Sequence, residues 1–124
     1  MRIKQSTSVL AGCAALSIFS ADMALAHAHL VRATPAVGST VPRAPSEVVL
    51  HFSEKLENVF SSVVVRDSGG NPIDKGDAHV DDADRAMMKT SLPPLAPGVY
   101  KVEWKALSTD THKSDGDFTF KVGK

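Results

Sequence analysis

Residues 99–107 read Val99-Tyr100-Lys101-Val102-Glu103-Trp104-Lys105-Ala106-Leu107. Val102, Trp104 and Ala106 fall on alternate positions and share one face, the period of a half-buried strand and not of a helix. Pro93, Pro94 and Pro97-Gly98 break the chain just before it. Val48, Leu50 and Phe52 alternate in the same way with Val49, His51 and Ser53, and Phe118, Phe120 and Val122 with Thr119 and Lys121. Residues 61–65 end in the apolar, β-branched run Val63-Val64-Val65 and read as a strand, and Asp67-Ser68-Gly69-Gly70-Asn71-Pro72 behind them is a turn. A further strand is expected over 87–92. Helical patterning is short: 53–60 could make one turn and 81–88 carries a little periodicity, but neither holds an apolar stripe over three turns. About seven short strands divided by Pro and Gly predict an all-β domain, an antiparallel Greek-key sandwich or barrel of immunoglobulin-like type with Trp104 in its core.

The chain has 124 residues, with fourteen basic and fourteen acidic side chains. A neutral balance argues against nucleic acid as a partner, since duplex-binding domains carry a basic excess or stripe. Arg2 and Lys4, an apolar run over 9–19 and the small-x-small triplet Ala24-Leu25-Ala26 form the pattern of a secretory leader. The run is too short to span a bilayer, which takes roughly 20 residues. Residues 1–26 are therefore expected to be removed, leaving one domain over 27–124. With Arg2, Lys4 and Asp22 gone, twelve basic and thirteen acidic side chains remain. Two other cuts are conceivable. Leu10-Ala11-Gly12-Cys13 spells a lipobox with too few apolar residues ahead of it, and Ala26-His27-Ala28 would expose His29 instead. Cleavage after Ala26 discards Cys13, the only cysteine, so neither a disulfide nor a thiolate ligand is expected.

That cut makes His27 the first residue. A terminal histidine offers an α-amine and an imidazole that close a chelate ring on one ion, and at neutral pH few protons must be displaced to do so. Read alone, His27 is more simply a frayed end. Asp110 and His112 follow the Trp104 strand in Ser108-Thr109-Asp110-Thr111-His112. Two apart in an extended chain, they would point to the same side, past the rim of the core on the Trp104 face. Amine, imidazole and carboxylate together are rich in nitrogen and free of sulfur, a set that suits copper(II) better than copper(I). An isolated Asp-x-His is also compatible with a polar turn in which Asp110 bonds its own backbone.

The order of motifs then becomes informative. His27-Ala28-His29-Leu30 with Thr34-Pro35-Ala36-x-Gly38, Leu50-x-Phe52-Ser53-Glu54, Pro97-Gly98-x-Tyr100-x-Val102-x-Trp104, Ser108-x-Asp110-x-His112 and Gly116-x-Phe118-x-Phe120 resemble the CopC copper resistance family over nearly all of the processed chain. The resemblance implies a periplasmic β-barrel of cupredoxin or immunoglobulin-like kind, holding copper(II) through His27, Asp110 and His112. His29 is a further candidate, as a fourth donor, as a support for Asp110 or as an exposed residue. Some members carry a methionine-rich loop for copper(I). Here residues 65–92 hold only Met87 and Met88, which on a strand would face opposite ways, so no dedicated copper(I) site is expected. His51 reads as an ordinary surface residue and His79 as part of a solvated acidic loop.

The expected function is that of a periplasmic copper(II) carrier or buffer in copper homeostasis and resistance: a monomer, not an enzyme, with an inner-membrane copper transporter of CopD type as receiver by analogy. A secreted copper monooxygenase would also use a terminal histidine chelate. Against that reading, an anionic Asp110 favours copper(II) over the reduced state that oxygen chemistry needs, and one Trp and one Tyr furnish little aromatic platform. A metal-free immunoglobulin-like interaction module would make Asp110 and His112 incidental.

Overall fold

In a computed structural model, which describes residues 28–124, the two longest strands are neighbours. β7 (Gly98–Leu107) and β8 (Lys113–Val122) pair antiparallel along their whole length, from Gly98 opposite Val122 to Leu107 opposite Lys113. On one side of this ribbon β4 (Ser62–Arg66) pairs with β7. On the other, β2 (Thr40–Val41) pairs with β8 and runs parallel to it, the exception to the antiparallel arrangement the sequence suggested. The second sheet is wholly antiparallel, in the order β1 (Leu30–Thr34), β3 (Glu47–Phe52), β6 (Met87–Ser91), β5 (His79–Val80). Eight strands are thus present among the described residues, two of them only two residues long. The helical potential of 53–60 is spent on one 3-10 turn, Asn58–Phe60, and 81–88 runs through turns into β6.

Alternation delivers the core between the two sheets. Val48, Leu50 and Phe52 of β3 face Val102, Trp104 and Ala106 of β7 and Phe118, Phe120 and Val122 of β8, all of them buried. Phe52 meets Trp104 edge to face with ring centroids 5.0 Å apart, and Tyr100 stacks on Phe120 at 5.6 Å, geometries that aromatic quadrupoles favour. The Tyr100 hydroxyl, carried to the core's edge, donates to the carbonyl of Ala96 at 2.6 Å. Met88 is fully buried while Met87 on the opposite face is half-buried, as neighbouring strand positions require.

Two departures from the expected strands have visible causes. β1 is irregular, because its register against β3 slips between Leu30 and Arg32. The resulting burial order breaks the period-two signature. β8 begins at Lys113, five residues before its apolar part. Its first inward positions are Ser114 and Gly116, opposite Ala106 and Trp104, so the strand's interior face there carries no hydrophobic signal.

Candidate metal centre

β7 ends at Leu107 and the chain turns back on itself over residues 108–112. Ser108 N–H donates to the His112 carbonyl at 3.0 Å, and Thr111 N–H to the Ser108 carbonyl at 2.9 Å. Thr111 takes a left-handed conformation (φ 73°), which a non-glycine residue adopts at some cost and mostly in tight turns. Asp110 and His112 are therefore brought together by a closed turn and not by the extended strand that their spacing suggested. The outcome is nevertheless proximity: Asp110 Oδ1 lies 3.2 Å from His112 Nδ1, and both side chains are a little under half exposed.

The turn is anchored from outside as well. Residues 55–57 run alongside it, with Glu57 N–H donating to the Leu107 carbonyl at 2.8 Å and Thr109 N–H to the Lys55 carbonyl at 3.0 Å. Leu56, fully buried, bridges to Ser108. The Ser108 hydroxyl donates to Asp110 Oδ1, and that bond is the largest influence holding the Asp110 carboxyl below the usual carboxylate range, with His112 adding to it. Asp110 is thus an anion at neutral pH, ready to meet a cation without losing a proton.

The described chain starts at Ala28, whose methyl group is buried in the core. Its carbonyl accepts a hydrogen bond from Ser114, two residues beyond His112. The His29 backbone bonds Ser53 twice: its N–H donates to the side-chain Oγ at 3.0 Å and its carbonyl accepts from Ser53 N–H at 2.9 Å. Its Nδ1 lies 3.1 Å from the same hydroxyl. His29 is exposed and faces Ser53, with no bond to Asp110. His27 and the leader lie outside the described residues. Among the described residues, no three His, Cys, Asp or Glu side chains converge on a metal-sized site, so Asp110 and His112 stand as a pair.

The remaining histidines belong to the other sheet. His51 on β3 is half-buried, with Arg32 Nη2 3.5 Å from its Nε2. His79, expected in a loop, lies on edge strand β5 opposite Lys89; it is exposed, with Nδ1 2.8 Å from the Asp77 carbonyl. The acidic residues around it close turns instead of binding solvent alone: Asp77 accepts from Ser91 N–H and Thr90 Oγ1, and Asp81 from Ala83 and Asp84 N–H. Sequence reasoning overlooked Ser53, Ser108 and Ser114. For Ser108 a signal existed, since it continues the inward series Val102, Trp104, Ala106 and is fully buried.

The profile of the CopC domain matches residues 30–123. The chain belongs to the CopC family. Copper resistance protein C of Pseudomonas syringae pv. tomato is 39% identical over 118 residues, covering 86% of this chain and 93% of that one. The crystal structure of PcoC, described as a methionine-rich copper resistance protein from Escherichia coli, superposes with a TM-score of 0.68 at 34% identity, covering 78% of this chain and 99% of that one. Copper transport protein CutJ of Bacillus subtilis (strain 168) is 31% identical over 108 residues; the match takes in 86% of this chain but only 20% of CutJ. The CopC span includes Asp110, His112 and Ser114 and begins after His27. The architecture of two packed β-sheets expected from the sequence is that of these CopC-like relatives.

Proposed function

We propose that the protein is an exported periplasmic copper(II) carrier or buffer serving copper homeostasis and resistance, with His27, Asp110 and His112 as its ligands and His29 as a further candidate. Removal of residues 1–26 would give His27 a free α-amine. The observation that carries the reading is the hydrogen bond from Ser114 to Ala28, which ties the residue following His27 to the strand that starts directly after His112. A peptide unit spans only about 3.8 Å between Cα atoms, and this short span from Ala28 supports His27 as a partner of the Asp110–His112 turn. Three hard or borderline nitrogens, the amine and imidazole of His27 and the imidazole of His112, together with an ionised carboxylate favour the cupric state.

Membership of a family whose named members are copper resistance and transport proteins supports copper as the cargo. The presence of only four methionines, two of them in the leader, supports copper(II) over copper(I). Binding is the whole chemistry on this reading, with no catalytic step, and the protein acts as a monomer. An inner-membrane copper transporter of CopD type is the receiver by analogy; the match to one fifth of the longer copper transport protein CutJ supports a link to copper transport.

The test compares the chain beginning at His27 with the same chain carrying one added glycine ahead of it, by chelator competition for copper(II). The extended chain loses affinity by several orders of magnitude; equal affinities overturn the terminal chelate. Mass spectrometry of the exported protein checks that His27 is the first residue.

A further inference from the structure

We infer that Ser108 and Ser114 are positioning residues for the copper site, each hydroxyl fixing one half of it. The inference rests on the ligand set proposed above and adds what holds that set in place.

Ser108 is fully buried at the end of β7, where a hydroxyl without partners would be costly. Its single proton goes to Asp110 Oδ1, and its oxygen lies 3.3 Å from His112 N–H, which donates to it. One hydroxyl therefore touches the side chain of one candidate ligand and the backbone of the other. The remaining closure, Ser108 N–H to the His112 carbonyl, comes from the same residue. Asp110 is fastened to the buried end of β7 in this way although it is itself well exposed.

Ser114 does the equivalent for the other half. It sits opposite Ala106 on the inner side of the β7–β8 ribbon, and its hydroxyl leaves the sheet's own ladder to donate to the Ala28 carbonyl. Ala28 has its methyl group in the core and is followed by His29, whose N–H donates to the Ser53 hydroxyl and whose carbonyl accepts from Ser53 N–H. The strand is therefore held on both sides of the peptide bond that follows Ala28. A chelate at the chain end gains from this, because the freedom that binding would remove has already been removed by the fold.

Neither hydroxyl takes part in strand pairing, so alanine at either position leaves the ladder intact. The experiment measures copper(II) affinity by chelator competition, the electron paramagnetic resonance spectrum of the copper(II) form and urea stability for Ser108→Ala, Ser114→Ala, Ser114→Thr and Asp110→Ala, all beginning at His27. Ser108→Ala and Ser114→Ala each lose about 10- to 100-fold in affinity, the range for supports of metal ligands. The copper hyperfine coupling changes in both, and Ser114→Thr restores affinity and spectrum. Wild-type affinity and spectrum in both alanine variants, with Asp110→Ala impaired, overturn the inference and leave the ligand set standing. Asp110→Ala with unchanged copper binding overturns the ligand set itself. Should Ser108→Ala unfold, the Ser114 pair decides the outcome alone.

Discussion

Trp104 lies flat across Gly116, its partner on β8: a Cβ placed on Gly116 would come within 2.7 Å of Trp104 Cζ2 and 2.9 Å of Cε2. The indole is also buried and packed edge to face with Phe52, ring centroids 5.0 Å apart, which limits its room to move. In most strand positions replacing glycine by alanine gains something by restricting the unfolded chain. Here the clash wins, because the atoms in the way belong to a rigid ring in the core. Gly116→Ala is expected to destabilise the fold by about 1–3 kcal/mol, the usual cost of overpacking. Urea unfolding at neutral pH measures it, and a variant as stable as the parent would show that the indole can shift.

The same pair marks where the sequence was readable. Trp104 stood out through alternation, and with it the sandwich, because residues that pack against the opposite sheet must recur with period two. Gly116 and Ser114 are inward residues too, yet being small or polar they left the first half of β8 invisible. Short β2 and β5 could not show a period in two residues, and a register slip blurred β1. At the candidate site, Asp110 and His112 were identifiable by residue type, and a polar turn was one of two readings of their spacing, but the turn's closure was not legible. Its hallmark is a threonine, Thr111, in a conformation for which sequence analysis looks to glycine or asparagine. The Ser108 hydroxyl looked like loop polarity until its burial was known.

Asp77 gives the fold a definite response to acid. Its Oδ1 accepts from Ser91 N–H at 2.7 Å and from the hydroxyl of buried Thr90 at 3.2 Å. The Ser91 bond above all holds the carboxyl below its ordinary range. A depressed folded-state value means that the contribution to stability is fully present above the unfolded value of roughly 3.9, and is lost as pH falls through the lower folded value. Asp77→Ala should therefore be less stable than the parent at pH 7, with the gap closing as the pH drops below about 4. Paired urea titrations over that interval test it; a gap independent of pH would assign the effect to something other than ionisation.

Asp110 should govern the redox state of bound copper. An anionic carboxylate beside the ion stabilises the dication more than the monocation, so removing it favours reduction. For Asp110→Ala we expect a higher copper reduction potential together with weaker copper(II) binding. Voltammetry of the parent and the variant, each loaded with one equivalent, reads both states. An unmoved potential would place Asp110 away from the ion.

Copper retention should fall with pH in an order set by the donors. The imidazole of His112 and the imidazole and amine proposed for His27 must give up protons to bind a metal, and each returning proton competes with the ion. Asp110 resists acid longer, because Ser108 donates to its carboxylate and keeps it ionised below the usual range. Release therefore begins with the nitrogen donors while Asp110 is still charged. Removing the Asp110 carboxylate should lower affinity at every pH, and so bring release at a higher pH, without changing the number of protons exchanged per copper ion, whereas replacing His112 by alanine should change that number. Potentiometric titration of the loaded protein counts those protons directly. A site held by thioethers, which take up no protons in this interval, would show no such exchange.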